Sequence, residues 1–317
     1  SSFGHPFLNT YLRQSKDMHS PVSGLFSDRR GVLAALLAAS TIQQVPTARA
    51  AEIASMEPNL DCLLDLPPIP NDCVRIYLCR HGQTENNRLR LVQGARVDPP
   101  INGNGEAMAC RLGTAFSRLD GKCPQTIMHS TLLRAKQTAQ VASKEMGGES
   151  IRLETLPSLG EVDFGPMSEG KKVSEAKPAM IETYGRWSAG LIDTRPDGGG
   201  DSARDILERA SAALQSLINV ANESDRNSVV AVSHSTYLRM LLAVLLDMPL
   251  AQAATLTLKN GCINVVDFKK DGRTRAVASK SRIFGGPLSQ APSDFNLTVP
   301  RGDVLRVNED RHLVGLV

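Results

Sequence analysis

The sequence has few aromatic residues and lacks the short motifs of several common protein classes. Phenylalanine, tryptophan and tyrosine make up 4% of the 317 residues, so the core of a folded domain must be mostly aliphatic. No Walker motif is present, and no G-x-G-x-x-G run follows the first predicted strand, which removes support for two nucleotide-binding folds. None of the six cysteines stands in a C-x-x-C pair or in a Cys/His spacing typical of zinc.

Net charge is also small, at +3 for the whole chain. Such a balance gives no general attraction to nucleic acid, and we predict no nucleic-acid partner. The surplus of positive charge lies in residues 1–51, which hold five basic and two acidic residues, so residues 52–317 have no net charge. A hydrophobic content of 41% with 22% charged residues is typical of a globular protein.

The first fifty residues have the pattern of a cleavable targeting presequence. A hydroxyl-rich leader precedes twin arginines at 29–30, an apolar run at 31–39 and an A-x-A pattern at 48–50. The run is shorter than the about 20 apolar residues that span a bilayer, so we expect no stable membrane insertion after cleavage. The pattern resembles the bipartite transit peptide of thylakoid-lumen proteins and predicts a plastid location. The alternatives are a twin-arginine or Sec-type export signal in another context, or an amphiphilic helix in an unstructured N-terminus.

Proline and loss of periodicity divide the rest of the chain into three predicted parts. The run PPIPN at 67–71 suits neither a helix nor an interior strand, so we assign 51–73 to a linker. Strands and helices alternate over 74–275, the predicted folded domain, and 276–317 is a C-terminal extension with little periodicity. Cys62 and Cys73 flank the proline-rich run and could pair in an oxidising compartment.

Two apolar runs end in a histidine. VRIYLC at 74–79 and SVVAV at 228–232 are strand-like in length and rich in β-branched residues. Arg80 and His81 follow the first run, and His234 follows the second. Because open α/β sheets bind ligands beyond the carboxyl ends of their strands, we expect both histidines and the arginine in one pocket.

The remaining pattern predicts a three-layer α/β/α fold with a mostly parallel central sheet. Apolar residues at helical spacing predict helices at 106–119, from about 131, at 201–222 and at 236–246. Short apolar runs predict further strands at 126–129, 153–159, 254–258 and 262–268.

This constellation suits phosphoryl transfer to a histidine. A neutral imidazole held at one nitrogen can attack phosphorus with the other, which makes His81 the candidate nucleophile. Arg80 and Arg134 can each donate two hydrogen bonds to phosphoryl oxygens, and a protonated His234 would add a further donor. Taken singly, each has an ordinary explanation, such as a buried core histidine or a surface salt bridge.

Departure of the leaving oxygen needs a proton, and Glu161 is the candidate donor. A phosphate dianion beside a carboxyl group raises its pKa and favours the protonated form. Glu161 could instead be a helix-cap or loop carboxylate, and Asp163 or Glu169 could take its role.

Taken together, these segments resemble the histidine phosphatase superfamily, the phosphoglycerate mutase-like proteins. RHGQTENN at 80–87 resembles the R-H-G-x-T-x-x-N signature of that family. Further matching segments follow in the family's order over about residues 74–268: QG at 93–94, STLLRAKQTA at 130–139, LGEVDFG at 159–165, GDS at 200–202 with Arg209, and VSH at 232–234. Met108, Met167 and Ser235 stand where the family commonly has Gln, Trp and Gly.

The resemblance implies a role for each candidate residue. His81 would be the phosphorylated nucleophile, with Glu161 as proton donor and His234 as a second catalytic histidine. The family needs no metal, so we expect none here, and we predict no cofactor. The phosphate pocket would be lined by Arg80, Asn87, Arg134 and His234.

We therefore predict a phosphomonoester hydrolase that acts through phosphohistidine on a small phosphorylated metabolite such as a sugar phosphate. A phosphoglycerate mutase is the first alternative. The stretch between Glu161 and His234 favours the hydrolase, because cofactor-dependent mutases carry a longer insertion there. A non-catalytic binding protein of the same fold is the second alternative, against which the complete catalytic set argues. The sequence gives no indication of oligomeric state.

Overall fold

The computed structural model describes residues 57–196, 198–276 and 297–316. Within them six strands form one sheet in the spatial order β3, β2, β4, β1, β5, β8, and two more form a separate antiparallel pair. The strands are β1 (Cys73–Arg80), β2 (Thr126–His129), β3 (Arg152–Thr155), β4 (Ser228–Ser233), β5 (Ile263–Lys269), β6 (Thr274–Ala276), β7 (Thr298–Pro300) and β8 (Gly302–Glu309).

The sheet is mixed but mostly parallel. The first four strands in spatial order are mutually parallel, whereas β5 and β8 are antiparallel to their neighbours. In the described residues the α-helices are α1 (Glu85–Leu89), α2 (Gly103–Ser117), α3 (Leu133–Met146), α4 (Val173–Ser188), α5 (Ala203–Glu223) and α6 (Ser235–Leu245). The predicted α/β fold class is confirmed.

Alternation along β1 shows how the sheet fills two hydrophobic cores. Val74, Ile76 and Leu78 belong to the cluster that contains α5 and α6. Tyr77 and Cys79 belong to the cluster that contains α2 and α3. Because successive side chains of a strand point to opposite faces, a strand buried on both sides is apolar along most of its length. Burial of each Leu or Ile side chain contributes about 1.5–3 kcal/mol.

The strand predicted at 254–258 is wrong. A 3₁₀ turn covers Leu250–Thr255, and the residues after it lie in no strand of the structure. Leu256 and Leu258 are buried, whereas Thr257 between them is exposed, so the apolar alternation is real. Both hydrogen-bonding edges of β1 are already occupied, by β4 and β5, so residues 254–258 cannot pair with β1. Alternating burial without a partner strand does not make a strand.

The C-terminal part contributes to the main sheet. Residues 302–309, which the sequence assigns to an extension of little periodicity, form the edge strand β8 against β5. Most side chains of β8 are half-buried on both faces, which removes the strict alternation that marks a strand in sequence.

Several predictions fall outside the described residues. The targeting presequence at 1–50 lies there, and so do residues 277–296, so cleavage and plastid location stay predictions. No described helix has the length and apolar character needed to cross a bilayer. All six cysteines are described and all are free thiols, so Cys62 and Cys73 are not paired in this structure.

Candidate active site

The two histidines meet at the carboxyl ends of neighbouring parallel strands. Arg80 of β1 pairs with Ser233 of β4, so the next residue of each strand leaves the sheet at the same edge. The backbone N–H of His81 donates to the oxygen of Ser233 at 3.0 Å. The ring centroids of His81 and His234 lie 5.1 Å apart, and both side chains are buried. The predicted juxtaposition of the two imidazoles is therefore present.

The imidazole of His81 is arranged as a nucleophile. Its Nδ1–H donates to the oxygen of Gly82 at 2.7 Å, which leaves the Nε2 lone pair free. Burial, and then the positive charges of Arg134 and Arg80, lower the pKa of His81 well below its ordinary value. The ring is therefore neutral at pH 7, which is the state in which Nε2 can attack an electrophile.

Asn260 secures this arrangement, and sequence reasoning missed it. Its Nδ2 donates to the oxygen of His81 at 3.2 Å and to Oδ1 of Asn87 at 3.0 Å. The same Oδ1 accepts from the N–H of Thr84, the N-cap of α1, so Asn87 belongs to the loop network beside His81. In the sequence Asn260 stands in a Lys-Asn-Gly run, whose only visible signal is a turn.

His234 is held on both sides of its ring. Arg134 Nε donates to Nδ1 at 3.2 Å, and Nε2–H donates to the Ser130 hydroxyl at 2.6 Å. Burial and the Arg134 charge lower the pKa of His234 well below its ordinary value, so the ring is neutral in the free protein. A bound phosphate dianion raises that pKa and favours the protonated donor form. In the sequence Ser130 opens the STLLRAKQTA segment, and nothing there indicates this contact.

Arg134 is wholly buried at the first turn of α3 and ties the 94–98 loop to the site. Its Nη2 donates to the oxygen of Gly94 at 3.0 Å, and its Nη1 donates to the oxygen of Val97 at 2.9 Å. Asp98 lies 3.3 Å from Nη1 and partly balances the charge. Burial lowers the pKa of Arg134, while the nearby Glu161 and Asp98 carboxylates oppose that shift.

Arg80 ends β1 and keeps part of its hydrogen-bonding capacity free. Its Nη1 donates to the oxygen of Leu258 at 2.7 Å, whereas its buried Nε has no hydrogen-bond partner. Burial, and then the charge of Arg239, lower its pKa to about 10, so it is still a cation at neutral pH. A buried cation with an unused N–H is suited to bind an anion.

Glu161 lies at the start of α6, the helix whose N-cap is His234. Its carboxylate accepts hydrogen bonds from the N–H groups of Val162, Thr236 and Tyr237 at 2.9–3.2 Å. The side chain is only 4% exposed. It is therefore beside the second histidine, and in the free protein it also caps the helix.

The two competing carboxylates hold a turn instead. Asp163 accepts from Arg96 Nε at 2.7 Å and from the N–H of Gly165 at 2.8 Å. Glu169 accepts from the N–H groups of Arg96 at 2.8 Å and Phe164 at 3.1 Å. These contacts fix the 163–169 turn, in which neither group is held against α6 as Glu161 is.

Comparison with known protein families identifies the family of this chain. A family model described as the histidine phosphatase superfamily (branch 1) matches residues 76–279, more than half of the chain. The chain belongs to this superfamily. The match covers β1, the main helices and β5, together with every candidate site residue named from the sequence.

Individual relatives and solved structures are similar to this chain at low sequence identity. "Probable phosphoglycerate mutase GpmB" of Salmonella paratyphi C is 28% identical over 200 residues, which are 62% of this chain and 86% of that protein. A mycobacterial glucosyl-3-phosphoglycerate phosphatase solved with VO3 has a TM-score of 0.53 and 21% identity, over 74% of this chain and 99% of that one. A mutant phosphoserine phosphatase from Entamoeba histolytica, solved with phosphoserine, has a TM-score of 0.54 and 22% identity, over 75% of this chain and 98% of that one.

Proposed function

We propose that this protein hydrolyses a small phosphorylated metabolite through a phosphohistidine intermediate. The observation that carries the proposal is the neutral His81 ring, with Nδ1 fixed by the oxygen of Gly82 and Nε2 free beside two arginines. A buried imidazole so held, and flanked by cations, matches what nucleophilic attack on a phosphoryl group requires.

The first step forms the phosphoenzyme. His81 Nε2 attacks phosphorus, the ester P–O bond breaks, and the leaving oxygen takes a proton from Glu161. Arg80 and Arg134 balance the charge on the phosphoryl oxygens, and His234 donates to them once it is protonated. No bound metal is used in this scheme.

The second step returns the enzyme to its starting state. Water attacks phosphorus, its proton passes to the Glu161 carboxylate, and the P–N bond breaks to release inorganic phosphate and neutral His81. The glucosyl-3-phosphoglycerate and phosphoserine phosphatases of like fold support water as the acceptor. Phosphoglycerate mutase is the second candidate, favoured by the names of the curated relatives, and it differs in using a substrate hydroxyl as acceptor.

Phosphate release from p-nitrophenyl phosphate in EDTA tests the proposal, with the full chain beside its His81→Ala variant. We expect activity in the first and a loss of at least about 10³-fold in the second, since the nucleophile is gone. Alkaline quenching of the active protein should trap a phosphoryl group that survives in base, is released by acid and is absent from the variant. Equal activity in both proteins would overturn the role of His81.

A product assay separates hydrolase from mutase. With 3-phosphoglycerate, a hydrolase yields free phosphate and glycerate, whereas a mutase yields the isomeric 2-phosphoglycerate without net phosphate. Thermal unfolding of both proteins shows whether the His81→Ala variant keeps its fold.

A further inference from the structure

Glu161 is carried by a segment that has no regular backbone hydrogen bonding of its own. Residues 160–165 lie in no helix or strand, and Gly160, Glu161 and Val162 are buried. A buried carbonyl outside regular structure needs a partner elsewhere in the molecule, because leaving it without a hydrogen bond is unfavourable. The position of the Glu161 side chain therefore depends on the groups that hold these carbonyls.

Arg209 of α5 holds two of them. Its Nη1 donates to the oxygen of Gly160 at 2.7 Å, and its Nη2 donates to the oxygen of Glu161 at 3.4 Å. Nη2 also donates to Oδ2 of Asp201 at 2.8 Å, in an ion pair that fixes the guanidinium group. Both terminal nitrogens thus donate to groups of the protein itself, which is not the arrangement of a phosphate ligand.

The same guanidinium group contacts α6, the helix that the Glu161 carboxylate caps. Cζ of Arg209 lies 5.2 Å from the centre of the Tyr237 ring, within the range of a cation–π contact. The N–H of Tyr237 donates to Oε1 of Glu161 at 2.9 Å. Arg209 therefore contacts both the backbone that carries Glu161 and the helix residue that holds its carboxylate.

The carbonyls on either side of this pair are held by other elements. The Ser233 hydroxyl donates to the oxygen of Leu159 at 2.7 Å, and the N–H of Ala95 donates to the oxygen of Val162 at 3.2 Å. These contacts remain when the Arg209 side chain is shortened. The expected effect of such a change is therefore a local shift of the two carbonyls in between.

We propose that Arg209 is a positioning residue for proton transfer by Glu161. The inference rests on the proposed function, in which Glu161 gives a proton to the leaving oxygen. The donor must lie within hydrogen-bond reach of that oxygen, and a misplacement of about 1 Å can lower the rate by about 10²-fold. Without Arg209 the carboxylate loses its fixed place relative to α6. Arg209 thus acts on the reaction only through Glu161.

Two aryl esters that differ by a nitro group test this: phenyl phosphate and p-nitrophenyl phosphate. Phenolate is the poorer leaving group and depends more on a proton. In the full chain, Arg209→Gln should lower kcat/KM by about 10- to 100-fold for phenyl phosphate and by less than about threefold for p-nitrophenyl phosphate. Inhibition by inorganic phosphate should change by less than about twofold, since the phosphate pocket is left intact.

A double variant tests whether Arg209 acts through Glu161. When Arg209→Gln is added to Glu161→Gln, the further loss with phenyl phosphate should be less than about threefold, because the proton donor is already gone. Two independent roles would instead multiply the two losses, and that result would overturn the proposal.

Arg204→Gln is the matched control on the same helix. The Arg204 side chain is 21% exposed, against 23% for Arg209, and it forms an ion pair of 2.6 Å with Asp193. Its loss should leave kcat/KM for both esters within about twofold. If thermal unfolding shows that Arg209→Gln does not fold, Arg209→Lys keeps the charge and one donor. It should show the same selectivity with a smaller loss.

Equal losses with the two esters in Arg209→Gln would overturn the proposal, since Arg209 would then serve the fold or the phosphate pocket. Unchanged kcat/KM for both esters would overturn it as well. Failure of the proposed function has a different signature: the unsubstituted chain would release no phosphate from either ester, or the His81→Ala variant would release it equally well.

Discussion

At the scale of single residues, Glu161 combines two contacts that imply different roles. It accepts backbone hydrogen bonds from Thr236 and Tyr237 in the first turn of α6, as a helix cap does, and it lies beside His234 in the proposed active site, where a proton donor is needed. A helix cap contributes about 1 kcal/mol to stability, whereas proton transfer contributes about 10²- to 10⁴-fold to rate. The two roles therefore predict different effects of a Glu161 substitution on esters with different leaving groups.

We predict that Glu161→Gln slows hydrolysis of glycerol 3-phosphate by about 10²- to 10⁴-fold but slows p-nitrophenyl phosphate by less than about tenfold. An alkoxide leaves only with a proton, whereas p-nitrophenolate leaves without one. The measurement is kcat/KM for both esters. Glu169→Gln is the control, because Glu169 also accepts two backbone hydrogen bonds and should affect both esters alike. Equal losses from Glu161→Gln would leave it only the capping role.

Residues within a continuous motif could be identified from the sequence, and isolated ones could not. His81 and Arg80 follow a strand-like run, and His234 follows another. The ends of these two predicted strands are enough to predict that the three side chains lie close together. Asn260 stands in a turn, where nothing local marks it as a site residue. Its contacts depend on how the loop before β5 packs against the end of β1, which a single sequence does not encode in any short pattern.

At the scale of elements, the loop after β1 packs in direct contact with the first turn of α2. A Cβ on Gly82 would lie 2.5 Å from the oxygen of Gly105, far inside contact distance. The N–H of Gly82 also donates to the Thr138 hydroxyl of α3 at 2.9 Å. The glycine is thus needed for close approach between the nucleophile loop and two helices.

We predict that Gly82→Ala lowers the free energy of unfolding by about 1–3 kcal/mol and reduces phosphate release, because the loop must move away from α2. Gly103→Ala is the matched change in the same helix, where an added Cβ meets nothing within 4 Å. It should raise stability by about 0.4–1 kcal/mol and leave activity unchanged. Urea unfolding of both variants is the measurement, and equal effects of the two would contradict the steric explanation.

Most central elements were predictable, and the failures have physical causes. β2 was predicted at 126–129 and forms there, since its apolar run is bounded by turn residues on both sides. The pattern of residues 166–200 is irregular to helical, and α4 forms within it although Pro178 stands inside the helix and removes a backbone donor. β8 was missed because an edge strand can have mixed polarity on both faces.

At the scale of the whole molecule, the C-terminal residues are tied to the active-site loop. The buried His312 donates from Nε2 to the oxygen of Gly261 at 3.0 Å, and its Nδ1 lies 3.9 Å from Cys62 Sγ. The N–H of Gly261 in turn donates to the oxygen of Arg80 at 3.1 Å. Residues far apart in the chain thereby support the backbone that carries the nucleophile.

We predict that this contact makes stability depend on pH. Burial lowers the pKa of His312 from an ordinary 6.5 to about 4. Between these values the unfolded chain binds a proton that the folded one does not, so stability is full above 6.5 and falls as the pH decreases towards 4. The loss from this one residue reaches about 3 kcal/mol.

Urea unfolding between pH 4.5 and 7.5 measures this effect in the full chain and in His312→Gln, whose amide can still donate to Gly261. The variant cannot titrate, so its free energy of unfolding should fall less steeply with decreasing pH. The buried His81 and His234 also have lowered pKa values and retain some slope in both proteins. Parallel curves for the two proteins would show that His312 is not responsible.

A cleft of about 210 Å³ lies between α4 and the 164–168 turn, and Trp187 in its lining can report ligand binding by fluorescence. Trp187 is the one tryptophan of the chain, and its indole N–H donates to the oxygen of Thr194 at 2.7 Å. Fluorescence excited where tyrosine does not absorb therefore comes from this single ring, next to Tyr184. Entry of a ligand into the cleft should change the emission, and unlabelled protein can be titrated with phosphate esters in a cuvette.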